Sequence, residues 1–177
     1  RGTEFNKQVI DINKGDEKLV FGSSTAVGQY DKNPKTGVYG FNGFDSRNFL
    51  DQFKRDVWSH MEQNPHLKPK KIVVVGLAVN GITKGMSVDG ILSRYRELVN
   101  FFEKQGIEVH VATIQPGKPK NRRKIKAFND AVRKEFRYQK VDLAAKVTDS
   151  QGGWKKGTTS DRTHAKSHIV SSMIATV

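Results

Sequence analysis

The chain has 177 residues, with 31 lysines and arginines against 18 aspartates and glutamates, and it contains no cysteine. That length suits one domain with a sizeable core, and 36% hydrophobic with 28% charged residues excludes a disordered chain. No apolar run nears the roughly 18 residues of a transmembrane helix. Without cysteine there is no disulfide framework, thiolate metal site or cysteine nucleophile, and a net charge of +13 points toward an acidic partner.

Residues 1–5 (RGTEF) read as vector-derived, because Gly-Thr and Glu-Phe are encoded by two common restriction sites. The remainder, 6–177, is expected to be a single domain cut from a longer or processed protein. Residues 17–22 (EKLVFG) are a short apolar run ending in small residues, which predicts a buried strand. Residues 31–37 read as a polar loop. Phe49, Leu50, Phe53, Val57 and Met61 recur at helical spacing and predict a helix over 46–62. Residues 71–78 (KIVVVGLA) carry the strongest strand signal, a continuous β-branched run. A second helix is predicted over 88–104 from Ile91, Leu92, Tyr95, Leu98, Val99 and Phe102, with Gly106 as its C-terminal cap. Residues 107–114 (IEVHVATI) predict another strand, and a helix follows Pro119. A short fourth strand is predicted at 141–147, a polar loop at 150–160 and a last helix at 163–175. Strands alternating with long helices predict an α/β fold. The expected form is a three-layer α/β/α sandwich around a mostly parallel, flavodoxin-like sheet.

The charge is uneven. Residues 115–140 hold ten basic side chains against two acidic ones, so this segment carries eight of the thirteen excess charges. Ile125, Phe128, Val132 and Phe136 give it the apolar stripe of an amphipathic helix. Its basic face is a solvated surface or a docking face for an anionic polymer such as a glycan. No RNA-binding motif or basic–aromatic platform accompanies it, which argues against nucleic acid.

Sites in such sheets lie at the carboxyl ends of the strands. There the chain supplies Gly22-Ser23-Ser24-Thr25, then Gly43 within 40–46 (GFNGFDS), then Asn80-Gly81, and finally Asp161-Arg162-Thr163-His164. A serine hydroxyl needs a base within hydrogen-bond reach. His164 can serve as that base, and Asp161, three residues earlier, can fix its tautomer and stabilise the imidazolium. The Ser24 and Gly43 backbone N–H groups and the Asn80 amide are candidate donors to an oxyanion. Taken singly, each has a plainer reading: Ser24 as a strand-ending serine, Asp161 as an N-cap, Asn80-Gly81 as a turn. Trp154, in the loop before Asp161, is either a substrate-lining or a core-packing aromatic. His60, His66, His110 and His168 lack metal-ligand spacing, and no metal or organic cofactor is expected.

These four blocks, in this order, resemble the SGNH hydrolases, also called GDSL esterases and lipases. The resemblance runs from about Leu19 to the C-terminus. It implies Ser24 as nucleophile in 21–25 (FGSST), Gly43 in 41–46 (FNGFDS), Asn80 in 77–81 (LAVNG) and Asp161 with His164 in 161–164 (DRTH). Residues 109–116 (VHVATIQP) resemble the family's third strand and its following proline loop. Asn129 stands where the family often has an asparagine. Two positions depart from the pattern: Ser23 replaces the acidic residue of the first block, and Ala78 replaces the glycine of the third, adding a methyl near the oxyanion pocket.

The resemblance implies a serine ester hydrolase acting through an acyl-enzyme on a small acyl ester, with an O-acetylated glycan as a reasonable substrate. The alternatives are an O-acyltransferase using the same triad, and a catalytically silent SGNH-like domain that binds a glycan, nucleic acid or a partner protein. The sequence leaves the oligomeric state open, and the lack of cysteine is compatible with a secreted or cell-surface location.

Overall fold

The computed structural model describes residues 8–12 and 16–177. The first five residues, read above as vector-derived, lie outside the described residues. Five strands form one sheet in the order β1-β3-β2-β4-β5. They are β1 (Gln8–Asp11), β2 (Lys18–Gly22), β3 (Thr36–Phe41), β4 (Lys71–Val75) and β5 (Glu108–Val111). All pairings are parallel except that of β1 with β3. With β1 set aside, the order β3-β2-β4-β5 is the flavodoxin-like arrangement expected from the sequence.

Alternate strand residues face opposite layers. Phe21, Tyr39, Ile72, Val74, Val109 and Val111 enter one core, and Val20, Val38, Val73 and Val75 enter the other. The first core is covered by α2 (Phe49–Phe53) and α3 (Ser59–Gln63), joined by a π-helical turn over Lys54–Trp58. It is further covered by α4 (Leu77–Thr83), α5 (Val88–Lys104) and α6 (Arg122–Glu135). The second is covered by α1 (Ser24–Val27), α7 (Leu143–Val147) and α8 (Ser167–Ile174). This is a three-layer α/β/α sandwich. Phe21 centres the first core, with its ring 4.8 Å from Phe49, 5.2 Å from Phe53, 5.6 Å from Phe102 and 5.7 Å from Tyr39. Among the described residues no helix is long and apolar enough to cross a membrane.

The structure corrects several expectations. Strand β4 ends at Val75, and Leu77 and Ala78 open α4 instead of prolonging it. The predicted fourth strand at 141–147 is helix α7: Asp142 caps it by accepting from the Ala145 N–H at 3.3 Å, and Leu143 and Val147 bury one turn apart. The segment before it meets the β5 edge through an isolated bridge between His110 and Tyr138, with bonds from the Val111 N–H to the Tyr138 carbonyl and from the Thr113 N–H to the Val141 carbonyl. Strands β1 and β3 were not expected, and β3 takes up the end of the presumed loop at 31–37. The last helix begins at Ser167, not at 163, because the preceding residues fold into a turn around Asp161.

Candidate active site

Strand β2 ends against β4 at Gly22. A Cβ there would lie 1.8 Å from the Val75 carbonyl oxygen, so only glycine permits this approach. Ser23 follows, nearly fully buried, with its N–H donating to the Val75 carbonyl at 3.3 Å. Ser24 is the first residue of α1, a position whose N–H has no carbonyl one turn back within the helix. Its hydroxyl is thereby set at the carboxyl edge of the sheet.

The turn carrying Asp161 and His164 arrives from the opposite end of the chain. The Asp161 Oδ1 accepts from the backbone N–H of Thr163 at 2.9 Å and of His164 at 2.8 Å. Arg162 adopts a left-handed φ of 60°, and the Thr159 hydroxyl donates to the His164 carbonyl at 2.7 Å. Asp161 is therefore the pivot of its own turn, not the N-cap of α8; Lys166 occupies that position. His164 Nδ1 lies 2.8 Å from Asp161 Oδ2, and its Nε2 lies 3.0 Å from Ser24 Oγ. With Nδ1 protonated, His164 donates to the carboxylate and accepts from the serine hydroxyl. Burial opposes ionisation of Asp161, but the hydrogen bonds from the His164 ring and from the His164 and Thr163 N–H groups outweigh it. They hold the carboxyl well below its usual range. Asp161 is thus an anion positioned to orient the imidazole.

Asn80, on α4, lines a small crevice with Ser24, Thr163 and His164. The crevice encloses about 20 Å³, room for one or two small atoms. One Asn80 amide hydrogen goes to the Phe44 carbonyl at 2.8 Å, which leaves the second for a ligand. Gly43 does not line this crevice. It sits in the adjoining loop at φ 79°, tied to Asn80 through its neighbour Phe44. Lys84, at the end of α4, donates to the Gly43 carbonyl at 2.8 Å and to Asp45 Oδ2 at 2.9 Å. Asp45 is buried, and its carboxyl is held well below the usual range by Arg47, with Lys84 adding to the effect against the cost of burial. The sequence offered no signal for Lys84; Asp45 lay inside the glycine block without an evident role.

The two departures from the family pattern fall in different places. Ser23 Oγ lies against Gly76, where a Cβ would come within 2.6 Å of it, and Gly76 takes a φ of 79°. Ala78 is fully buried and its N–H donates to the Tyr95 hydroxyl at 3.0 Å. Its methyl packs into the core and not, as expected, beside the crevice at Ser24. Trp154 is half-buried against the second core, and its indole N–H donates to the Arg162 carbonyl at 3.1 Å. It props the turn that carries His164 and does not line the crevice at Ser24. Gln115 does line that crevice, and its amide donates to the Thr163 carbonyl at 3.2 Å. Asn129 clasps the backbone of Ile114 from both sides, at 2.8 and 3.0 Å, and so fixes the loop on which Gln115 sits.

Solved structures share this architecture. A Bacteroides fragilis protein with a proposed acylhydrolase assignment superposes with a TM-score of 0.72 at 21% identity, over 95% of this chain and 89% of its own. A GDSL-like lipase from Bacteroides thetaiotaomicron gives 0.69 at 16% identity, over 93% of this chain and 88% of its own. An acetyl xylan esterase gives 0.63 at 17% identity, over 90% and 98%. No protein-family model matches the chain, and no curated protein sequence matches it. The chain shares its three-layer α/β/α fold with these solved structures, a GDSL-like lipase among them.

Proposed function

We propose that this chain is a serine ester hydrolase with Ser24, His164 and Asp161 as its catalytic triad. The observation that carries the reading is the unbroken hydrogen-bonded line from Ser24 Oγ through the His164 ring to Asp161, at 3.0 and 2.8 Å. Ser24 Oγ attacks the ester carbonyl carbon while its proton passes to His164 Nε2. The resulting oxyanion is met by the Asn80 amide and the Ser24 N–H, with the Gly43 N–H in the adjoining loop as the third candidate donor. His164 returns the proton to the departing alcohol as the carbon–oxygen bond breaks, leaving an acyl-enzyme. Water, deprotonated by His164, then releases the acid and restores Ser24.

The crevice of about 20 Å³ takes the oxyanion, and a neighbouring cleft of about 320 Å³ that Ser24 and His164 also line takes the rest of the ester. The similarity to an acetyl xylan esterase favours an O-acetylated glycan as the alcohol part. The test is labelling with a fluorophosphonate serine probe, together with release of acetate from acetylated xylan. Labelling and acetate release that both vanish in Ser24→Ala support the reading. Labelling that persists in Ser24→Ala, or is absent from the unaltered chain, overturns it. Acetate transferred to an added sugar in preference to water would assign acyl transfer instead.

A further inference from the structure

A roomy cavity lies away from Ser24. It encloses about 720 Å³ between the start of α6, the end of α7 and the turn at 148–152. That volume falls within the roughly 300–1,000 Å³ of small-ligand sites. Four basic side chains line it, Arg122, Arg123, Lys126 and Arg133, against two acidic ones, Asp130 and Asp149.

The partnerships among these groups are unequal. Lys126 bonds Asp130 at 2.6 Å, and Arg133 bonds Asp142 at 2.9 Å. Asp149 spends one oxygen on the N–H groups of Gln151 and Gly153, both at 2.9 Å. Arg122 and Arg123 have no ion pair among the described residues. The Arg122 Nε and the Thr148 hydroxyl are both buried without a hydrogen-bond partner, and the Arg122 side chain lies against Gly152 and Gly153. The cavity is lined by two arginines whose charge no carboxylate among the described residues pairs, and an anionic ligand would neutralise it. Arginine's planar fork suits carboxylate and phosphate oxygens, which it holds in pairs. Position adds to the case. Pro116 lines this cavity while its neighbour Gln115 lines the crevice at Ser24. The turn at 148–154 forms one wall and ends at Trp154, which holds the Arg162 carbonyl.

We propose that this cavity is a second binding site, for an oxyanion-bearing ligand of small-oligosaccharide size, whose carboxylate or phosphate is held between Arg122 and Arg123. The site stands independently of ester hydrolysis. It also narrows the meaning of the basic segment: much of α6's charge is already paired or solvated, and two arginines remain for a ligand.

Calorimetric titration of the full chain and of Ser24→Ala at 50 mM salt tests this. Trigalacturonate supplies carboxylates, glucose 6-phosphate supplies a phosphate, and xylotriose is the neutral control. The expected result is binding of at least one anionic probe, none of xylotriose, and an affinity at least tenfold weaker in Arg122→Gln and in Arg123→Gln. Arg123 is exposed, so that variant remains informative should Arg122→Gln fail to fold. Equal affinity in the Ser24→Ala chain separates the site from the catalytic reading. No binding of either anion to the unaltered chain, or unchanged affinity in Arg123→Gln and any folded Arg122→Gln, would overturn the proposal. Preference between the two probes identifies the source of the anion.

Discussion

Asn80 donates its side-chain amide to the Phe44 carbonyl at 2.8 Å, and this bond joins those of Lys84 in tying α4 to the glycine loop that follows β3. The two elements supply the candidate oxyanion donors that Ser24 itself does not, so their relative position decides the geometry of the hole. Asn80→Ala removes both a donor and its own tie, and is expected to lower kcat on the order of 10²–10³-fold. Lys84→Met keeps the donor and removes only the bonds to Gly43 and Asp45. It should lower kcat less than Asn80→Ala does. Steady-state kinetics on an acetyl ester distinguishes them; equal losses would mean that Asn80 acts only by holding the loop.

Asp161 both orients His164 and organises the turn that presents it. Asp161→Asn keeps the size of the side chain but offers an N–H or a neutral oxygen to the ring, which favours the wrong tautomer. A fall in kcat on the order of 10³–10⁴-fold is expected, with KM little changed. The circular dichroism spectrum should stay the same. A loss below tenfold would remove Asp161 from the triad.

Legibility in the sequence followed local physics. The β-branched run of β4 and the long apolar stripes of α5 and α6 were readable because burial on one face writes a period into the chain. Strand β3 was not, because Gly37 and Gly40 interrupt it. Gly40 is there because a Cβ would meet the Val27 nitrogen at 2.8 Å, a tertiary contact with α1 that no local pattern announces. Helix α7 read as a strand because five residues are too few for periodicity to separate helix from strand. What decided it was the Asp142 cap, held in turn by the Thr113 hydroxyl at 2.7 Å. The blocks with Ser24, Asn80 and the Asp161–His164 pair were readable in order and place. The Lys84–Asp45 clamp was not, since it joins residues 39 apart with no shared motif.

Phe21 tests whether one ring organises the larger core. It is fully buried among four other aromatic rings. Phe21→Ala leaves a cavity that these stiff neighbours cannot fill, and is expected to cost about 3–5 kcal/mol in urea unfolding. Phe21→Leu should cost clearly less. A cost below about 1 kcal/mol for Phe21→Ala would show that the rings repack.

The Asp45 clamp predicts a pH dependence whose sign is fixed. Arg47, and after it Lys84, hold the Asp45 carboxyl below its ordinary value despite burial. The native state therefore releases that proton more readily than the unfolded chain does. The stabilisation is fully present above the unfolded carboxylate pKa of about 4 and drains away as pH falls from there toward the native value. Asp45→Asn abolishes the ion pairs, and should lower stability at pH 7 by about 1.5–3 kcal/mol, the worth of hydrogen bonds to a charged group. The gap between the two chains should then narrow between pH 4 and pH 2, because acid removes from the unaltered protein what the substitution has already taken. Urea unfolding at pH 7, 5, 3 and 2 measures it. A gap that stays constant across that range would show that the carboxylate is not what holds the loop, and would leave the Asn80–Phe44 bond as its anchor.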